Sequence, residues 1–221
     1  MIQNNNYKFS NFTNFLDFYS DKNKNKTFYM SDNKKTEISY SEQLIIIKNF
    51  QILLEKYKIK NQEKIMVICD NGDDLVLIFL SILYHKLIFV PVNPNVVKSE
   101  FIYLKNKTKP KLIITNKKIS KKLNFKKNIF LIEDYKKIKN LKSHNLKKII
   151  KINKKKDNQK DFVAQILFTS GSTGNPKGVV LTHQSMLHNL YGIFNSIKFS
   201  KQNLNFLSVT PLYHNNGQFI P

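Results

Sequence analysis

The chain has no arginine and no tryptophan, one cysteine (Cys69), and six glycines among 221 residues. Each scarcity excludes something. Without arginine there is no guanidinium for bidentate contacts to phosphates or guanine edges. The 37 lysines, which set a formal net charge of +22, are therefore not expected to form a specific nucleic-acid reader. They are interspersed with Asn, Ile and Phe, as in Lys22-Asn-Lys-Asn-Lys26, which fits compositional bias better than a binding face. Weak, non-specific adhesion to polyanions at low salt is still expected. A lone cysteine excludes an intrachain disulfide and fits a reducing compartment. The opening Met1-Ile-Gln-Asn-Asn-Asn-Tyr-Lys8 lacks the apolar core of a secretory signal. The longest apolar run, 75–84, is about half the length that spans a bilayer. A cytoplasmic protein without a transmembrane segment is the expectation.

What is present alternates in type. Phe12, Phe15 and Tyr19 have helical spacing, and Ser39-Tyr-Ser-Glu42 has capping-box spacing ahead of Ile46, Phe50, Leu53, Leu54 and Tyr57. Residues 65–69 read as a buried strand, 73–84 as a helix with two aspartates in its first turn, and 87–92 as the next strand. A helix over 99–105 and a strand over 112–115 follow. The lysine-rich stretch 117–160 offers one short strand candidate at 129–132 and otherwise reads as solvated loop. Strands are expected at 164–168, 179–181 and 206–209, with a helix from Thr182 to about residue 197. Apolar strand, crossover helix, apolar strand is the order of a parallel α/β sheet.

Half of the scarce glycines fall within eight residues. Gly171, Gly174 and Gly178 sit in Leu167-Phe-Thr-Ser-Gly-Ser-Thr-Gly-Asn-Pro-Lys-Gly-Val-Val-Leu-Thr-His183. Glycines free the backbone to turn N–H groups toward oxygen, hydroxyls donate further, and Lys177 neutralises charge, so the loop reads as a phosphate-holding device. A P-loop would need a Lys-Ser/Thr pair leading into a helix, but Pro176 precedes Lys177, Gly178 follows it, and a β-like run comes next. The dinucleotide fingerprint fails on spacing. A plain surface turn would gain nothing from so many hydroxyls and a lysine. No His, Cys and carboxylate set has metal-ligand spacing, and Asp73 and Asp74 are explained by helix electrostatics.

Thr169-Ser-Gly-Ser-Thr-Gly-Asn-Pro-Lys-Gly178 resembles the signature loop of the adenylate-forming (AMP-binding) enzymes: acyl-CoA synthetases, aryl-CoA ligases, luciferases and peptide-synthetase adenylation domains. Ser39-Tyr-Ser-Glu42, Phe89-Val-Pro-Val-Asn-Pro94 and Pro211-Leu-Tyr-His-Asn-Asn-Gly217 resemble further elements of that family. The turn before Phe89 departs from it, with Tyr84-His-Lys-Leu87 where a glycine is usual. The resemblance implies an α/β fold, with residues 1–221 forming the amino-terminal part of the large adenylation domain. It implies that Thr169, Ser170, Gly171, Ser172, Thr173, Gly174 and Lys177 hold the phosphates of ATP. His214, Asn215 and Gly217 would line the acyl pocket, and His183 would be a structural cap contact. No residue of this stretch is assigned as catalytic or as a metal ligand.

The implied chemistry is attack of a substrate carboxylate on the α-phosphorus with Mg²⁺ assistance, then transfer to a thiol such as coenzyme A. Amino-acid-activating members carry an aspartate where this chain has Tyr213-His214, which favours a fatty or aryl acid. The Mg²⁺-holding glutamate, the ribose-binding aspartate and the carboxy-terminal catalytic lysine of the family are absent. A truncated or split product, inactive alone, is the expectation; the alternative is a non-enzymatic role, as a degenerate fragment or as a subunit that pairs with a separately encoded carboxy-terminal portion.

Overall fold

Among the described residues six strands form the main sheet, and their order sets which strand ends share an edge. The computed structural model describes residues 9–30, 37–141, 161–169, 176–196 and 211–214. The chain opens with α1 (Phe12–Lys22), capped by the Asn11 side chain, which accepts from the Asn14 N–H. A small antiparallel pair, β1 (Thr27–Met30) and β2 (Glu37–Ser39), leads into α2 (Tyr40–Asn49). The expected capping box is formed: Ser39 and Glu42 each bond the other's backbone N–H. The apolar run that reads as one helix is broken at Phe50, which is fully buried, and resumes as α3 (Gln51–Lys56).

The sheet follows: β3 (Lys64–Ile68), α4 (Asp73–Tyr84), β4 (Ile88–Pro91), α5 (Lys98–Thr108), β5 (Leu112–Thr115), α6 (Lys117–Leu123) and β6 (Ile129–Leu131). A short 3₁₀ turn then leads to α7 (Tyr135–Lys139), and after it come β7 (Val163–Thr169), β8 (Lys177–Thr182) and α8 (His183–Ser196). The strand order is β6-β5-β3-β4-β7-β8. All neighbours are parallel except the last pair, so the sheet is mixed, with an antiparallel edge.

Alternation along the strands sends side chains to two separate cores. Ile65, Val67, Phe89, Leu112 and Ile114 pack under α1, α2, α4, α7 and α8. Met66, Ile68, Ile88, Val90 and Ile113 pack under α5 and α6. β3 and β4 are buried along nearly their whole length, as expected of strands covered on both faces.

Two expectations need correction. The stretch 117–160 is not loop throughout, because 117–123 is helical. Asn116 caps α6 by accepting from the Ile119 N–H, and Ile119 and Leu123 are its buried side. The β1–β2 pair gave no sequence signal, since Ile38 alone is buried there. The strand expected at 206–209 lies outside the described residues. No helix among the described residues is long and apolar enough to cross a membrane.

Candidate functional site

Because β7 runs parallel to β4, Thr169 emerges at the edge where β3, β4 and β5 also end. β8 then returns antiparallel, with Thr169 opposite Lys177, Phe168 opposite Gly178 and Leu167 opposite Val179. The glycine-rich segment is therefore closed at its base by two directly opposed residues, both exposed. Opposed residues project to the same face of a pair, so the Thr169 hydroxyl and the Lys177 ammonium leave the sheet together. Ser170, Gly171, Ser172, Thr173 and Gly174 lie outside the described residues.

Gly178 has a different job from the one its neighbourhood suggests. It lies inside β8, and a Cβ there would stand 3.2 Å from Ile166 Cγ2 and 3.3 Å from Phe168 Cε1. Its bareness serves strand packing. One contact escaped sequence reasoning: Tyr103, on α5, donates its hydroxyl to the Pro176 carbonyl at 3.3 Å. This ties the returning leg of the loop to the helix layer beneath it. A tyrosine on a helix carries no spacing signal for such a bond.

A second group of expected residues reaches the same edge. The Leu212 N–H donates to Asn71 Oδ1 at 3.1 Å, and Leu212 itself is buried. This anchors the turn 211–214 just beyond the end of β3, and the His214 N–H donates to the Pro211 carbonyl. His214 is exposed, its ring 4.7 Å from that of Tyr213. Asn215 and Gly217 lie outside the described residues. Asn71 read only as a turn residue in the sequence, and its role as an anchor required the fold.

Other polar groups at this edge are structural. Asp73 and Asp74 open α4, and Lys139 Nζ lies 3.4 and 2.7 Å from them. Burial alone would lower the Lys139 pKa, but the hydrogen bonds and charges of Asp74 and Asp73 together outweigh it and raise it. Asn116 donates to Asp70 across the ends of β5 and β3. Burial, reinforced by the charges of Asp70 and Glu133, pushes the Cys69 thiol up to about 12, so no thiolate nucleophile stands here. Among the described residues no three His, Cys, Asp or Glu side chains gather as metal ligands.

His183 is buried between the Phe12 and Phe162 rings. Its Nδ1 accepts the Phe12 N–H at 3.2 Å, so it caps α1, while its own helix is capped by Thr182 and Ser185. His188 is exposed on another face of α8.

The model of the family described as AMP-binding enzyme matches residues 17–220 of this chain. The chain belongs to the AMP-binding enzyme family. Among curated relatives, luciferin 4-monooxygenase of Photuris pensylvanica is 28% identical over 169 residues, 69% of this chain and 31% of its own. Gramicidin S synthase 2 of Brevibacillus brevis is 29% identical over 154 residues, 69% of this chain and 3% of its own. Among solved structures, a fatty acyl-adenylate ligase from L. pneumophila, in complex with acyl adenylate and pyrophosphate, superposes with a TM-score of 0.69 at 19% identity. That likeness covers 90% of this chain and 35% of the ligase, and it shows a shared fold. The chain thus spans about a third or less of the length of these relatives.

Proposed function

We propose that this chain is part of an adenylation domain that activates a carboxylic acid with ATP through an acyl-adenylate, as an acid–thiol ligase of fatty or aryl acids. One observation carries the reading. Thr169 and Lys177 stand opposed at the base of the Ser/Thr/Gly-rich segment, at the strand-end edge to which Asn71 also pins the Tyr213–His214 turn. Ligands of open α/β sheets collect at the carboxyl ends of the strands.

In this reading a substrate carboxylate, ionised at neutral pH, attacks the α-phosphorus. The bond to the bridging oxygen breaks and pyrophosphate leaves. Thr169, Ser170, Ser172, Thr173 and Lys177 hold the departing phosphates, with Gly171 and Gly174 letting the backbone approach. Their work is positioning and charge compensation, which suits the residue types present. His214, Asn215 and Gly217 border the acyl group. The thiol of coenzyme A then attacks the acyl-adenylate carbonyl, the bond from that carbonyl to the adenylate oxygen breaks, AMP leaves and the thiol proton passes to solvent, giving the thioester. Mg²⁺, where it assists, would add charge compensation at the phosphates. A fatty or aryl acid suits Tyr213-His214 because no carboxylate stands in that turn to pair a substrate ammonium.

The test is acid-dependent exchange of labelled pyrophosphate into ATP by a polypeptide containing this segment and the remainder of the domain. A panel of fatty, aryl and amino acids separates the substrate classes. Replacing Thr173 and Lys177 together by alanine is expected to lower exchange by about a hundredfold or more. Undiminished exchange overturns the reading, and exchange supported by amino acids alone overturns the substrate class.

A second reading, a subunit that acts with a separately encoded remainder, is favoured by exposed apolar side chains near the carboxy-terminal end. Val179 and Val180 on β8 and Phe194 on α8 are 45%, 54% and 43% exposed. It predicts no exchange by residues 1–221 alone and exchange once the remainder is added as a separate polypeptide. Turnover by the isolated chain removes it.

A further inference from the structure

Dispersed along the sequence, the lysines are nonetheless segregated by face. Residues 95–128, which hold α5 and α6, carry eleven lysines and one carboxylate, Glu100. All other described residues together hold thirteen lysines and twelve carboxylates. A bias acting evenly on the chain would not leave one layer almost purely cationic and the rest nearly balanced. Of the eleven, Lys111 reaches a carboxylate, Glu63 Oε1 at 3.7 Å. Lys122 donates to the Asn95 carbonyl.

The spacing also works against one of the helices. On α6, Lys117 and Lys121, and Lys118 and Lys122, are each four residues apart, where like charges repel. The outward line of α5 runs Lys98, Ile102, Lys105, Lys109, with Ile102 46% exposed and neighbouring Val97 58% exposed. Phe101 and Phe125 are instead buried against each other, their ring centroids 4.7 Å apart.

We propose that the α5–α6 layer is a docking surface for an anionic lipid bilayer. Lysines gather at an anionic leaflet and isolated aliphatic side chains enter the boundary between headgroups and acyl chains, which is the mixture this face presents. A nucleic-acid surface would call instead for exposed aromatic platforms or guanidinium groups. The chain has no arginine, and the phenylalanine rings of this layer are buried. Tyr103 stands on the same helix and donates to the Pro176 carbonyl, so this layer is tied to the chain entering β8.

The experiment is co-sedimentation of the 221-residue chain with vesicles of phosphatidylcholine alone and of phosphatidylcholine with phosphatidylserine. Binding is expected to the mixed vesicles at about 0.1 M salt and to be lost near 0.5 M, where the Debye length falls to a few ångströms. Replacing Lys98, Lys105 and Lys109 together by glutamate should weaken partitioning by about a hundredfold or more, at about fivefold per lysine. The same change at Lys22, Lys56 and Lys136, exposed elsewhere, should weaken it only a few-fold. Ile102→Ser should lower binding several-fold while keeping its salt dependence. If circular dichroism shows the α5 variant unfolded, Lys118→Glu with Lys122→Glu on α6 repeats the test. Failure to bind mixed vesicles at low salt overturns the proposal, as do equal losses from the two triple variants. Tighter binding to single-stranded RNA or duplex DNA with the same dependence on Lys98, Lys105 and Lys109 also overturns it, in favour of a nucleic-acid surface.

Discussion

Lys86 occupies the one position after α4 where the backbone asks for glycine. Its φ of 55° lies in the left-handed region. Its N–H bonds the Leu83 carbonyl, and the Leu87 N–H bonds that of Ile82. Those two bonds are the Schellman ending of a helix, which normally recruits glycine at this point. The Lys86 carbonyl is held by both the backbone and the side-chain amide of Gln62. The departure visible in Tyr84-His-Lys-Leu87 is thus a strained residue within an unaltered turn. Relief of left-handed strain, worth about 1–3 kcal/mol, should outweigh loss of the Lys86 contact over the Phe162 ring at 5.1 Å, worth about 0.5–1 kcal/mol. Lys86→Gly should therefore raise stability by about 1 kcal/mol in urea denaturation, while Lys86→Ile should lower it. Gly178 asks the opposite question. Alanine usually improves on a glycine within a strand, but here the added methyl meets Ile166 and Phe168. Gly178→Ala should cost about 1 kcal/mol and Gly178→Val more, read from the same denaturation midpoints.

At the scale of elements, two buried histidines join helices and both are held neutral. His85 Nε2 bonds the Ile47 carbonyl of α2 from the end of α4, and burial lowers its pKa to about 4. His183 joins α8 to α1, and burial likewise lowers its pKa to about 4. In the unfolded chain each returns to its ordinary value near 6.5. Between the two values the unfolded state binds more protons, so stability rises with pH across that window. The contribution of each histidine is complete above about pH 6.5 and is lost as pH falls toward 4, amounting to about 3 kcal/mol apiece. Urea unfolding at pH 7.5 and pH 5 should show about 2 kcal/mol of this loss per histidine, and His183→Gln should shrink the total by roughly half. An unchanged slope in that variant would mean that His183 is protonated in the fold. The strand–helix–strand frame was legible because its apolar runs are long and their ends are marked by Asp73, Pro91 and Asn116. The helix over 117–123 was hidden by its own lysines, although Ile119 and Leu123 mark one face. Of the site, Thr169 and Lys177 were legible as types. Their direct opposition, the grip of Asn71 on Leu212 and the bond from Tyr103 to Pro176 depend on residues far apart in the sequence. No local pattern encodes such contacts.

For the whole molecule, an open edge and a large positive charge oppose each other. Among the described residues β8 is paired on one side only, by β7. Val179 and Val180, adjacent and so on opposite faces, are both about half exposed. Strand edges of this kind pair with other strands unless charge or proline blunts them, and Lys177 at the start of β8 is its only charged side chain. What holds copies apart is the net charge of +22, whose repulsion reaches about 10 Å at 0.1 M salt and about 3 Å at 1 M. Added salt should therefore promote self-association, whereas it weakens contacts made between opposite charges. Sedimentation of the isolated chain is expected to move from monomer at about 0.05 M salt toward larger species near 0.5 M. Val180→Lys places a charge on the open edge and should restore the monomer at high salt, whereas Val97→Lys, on the α5 face, should not. If Val97→Lys dissolves the larger species and Val180→Lys leaves them intact, the association runs through the helix layer and β8 is not its seat.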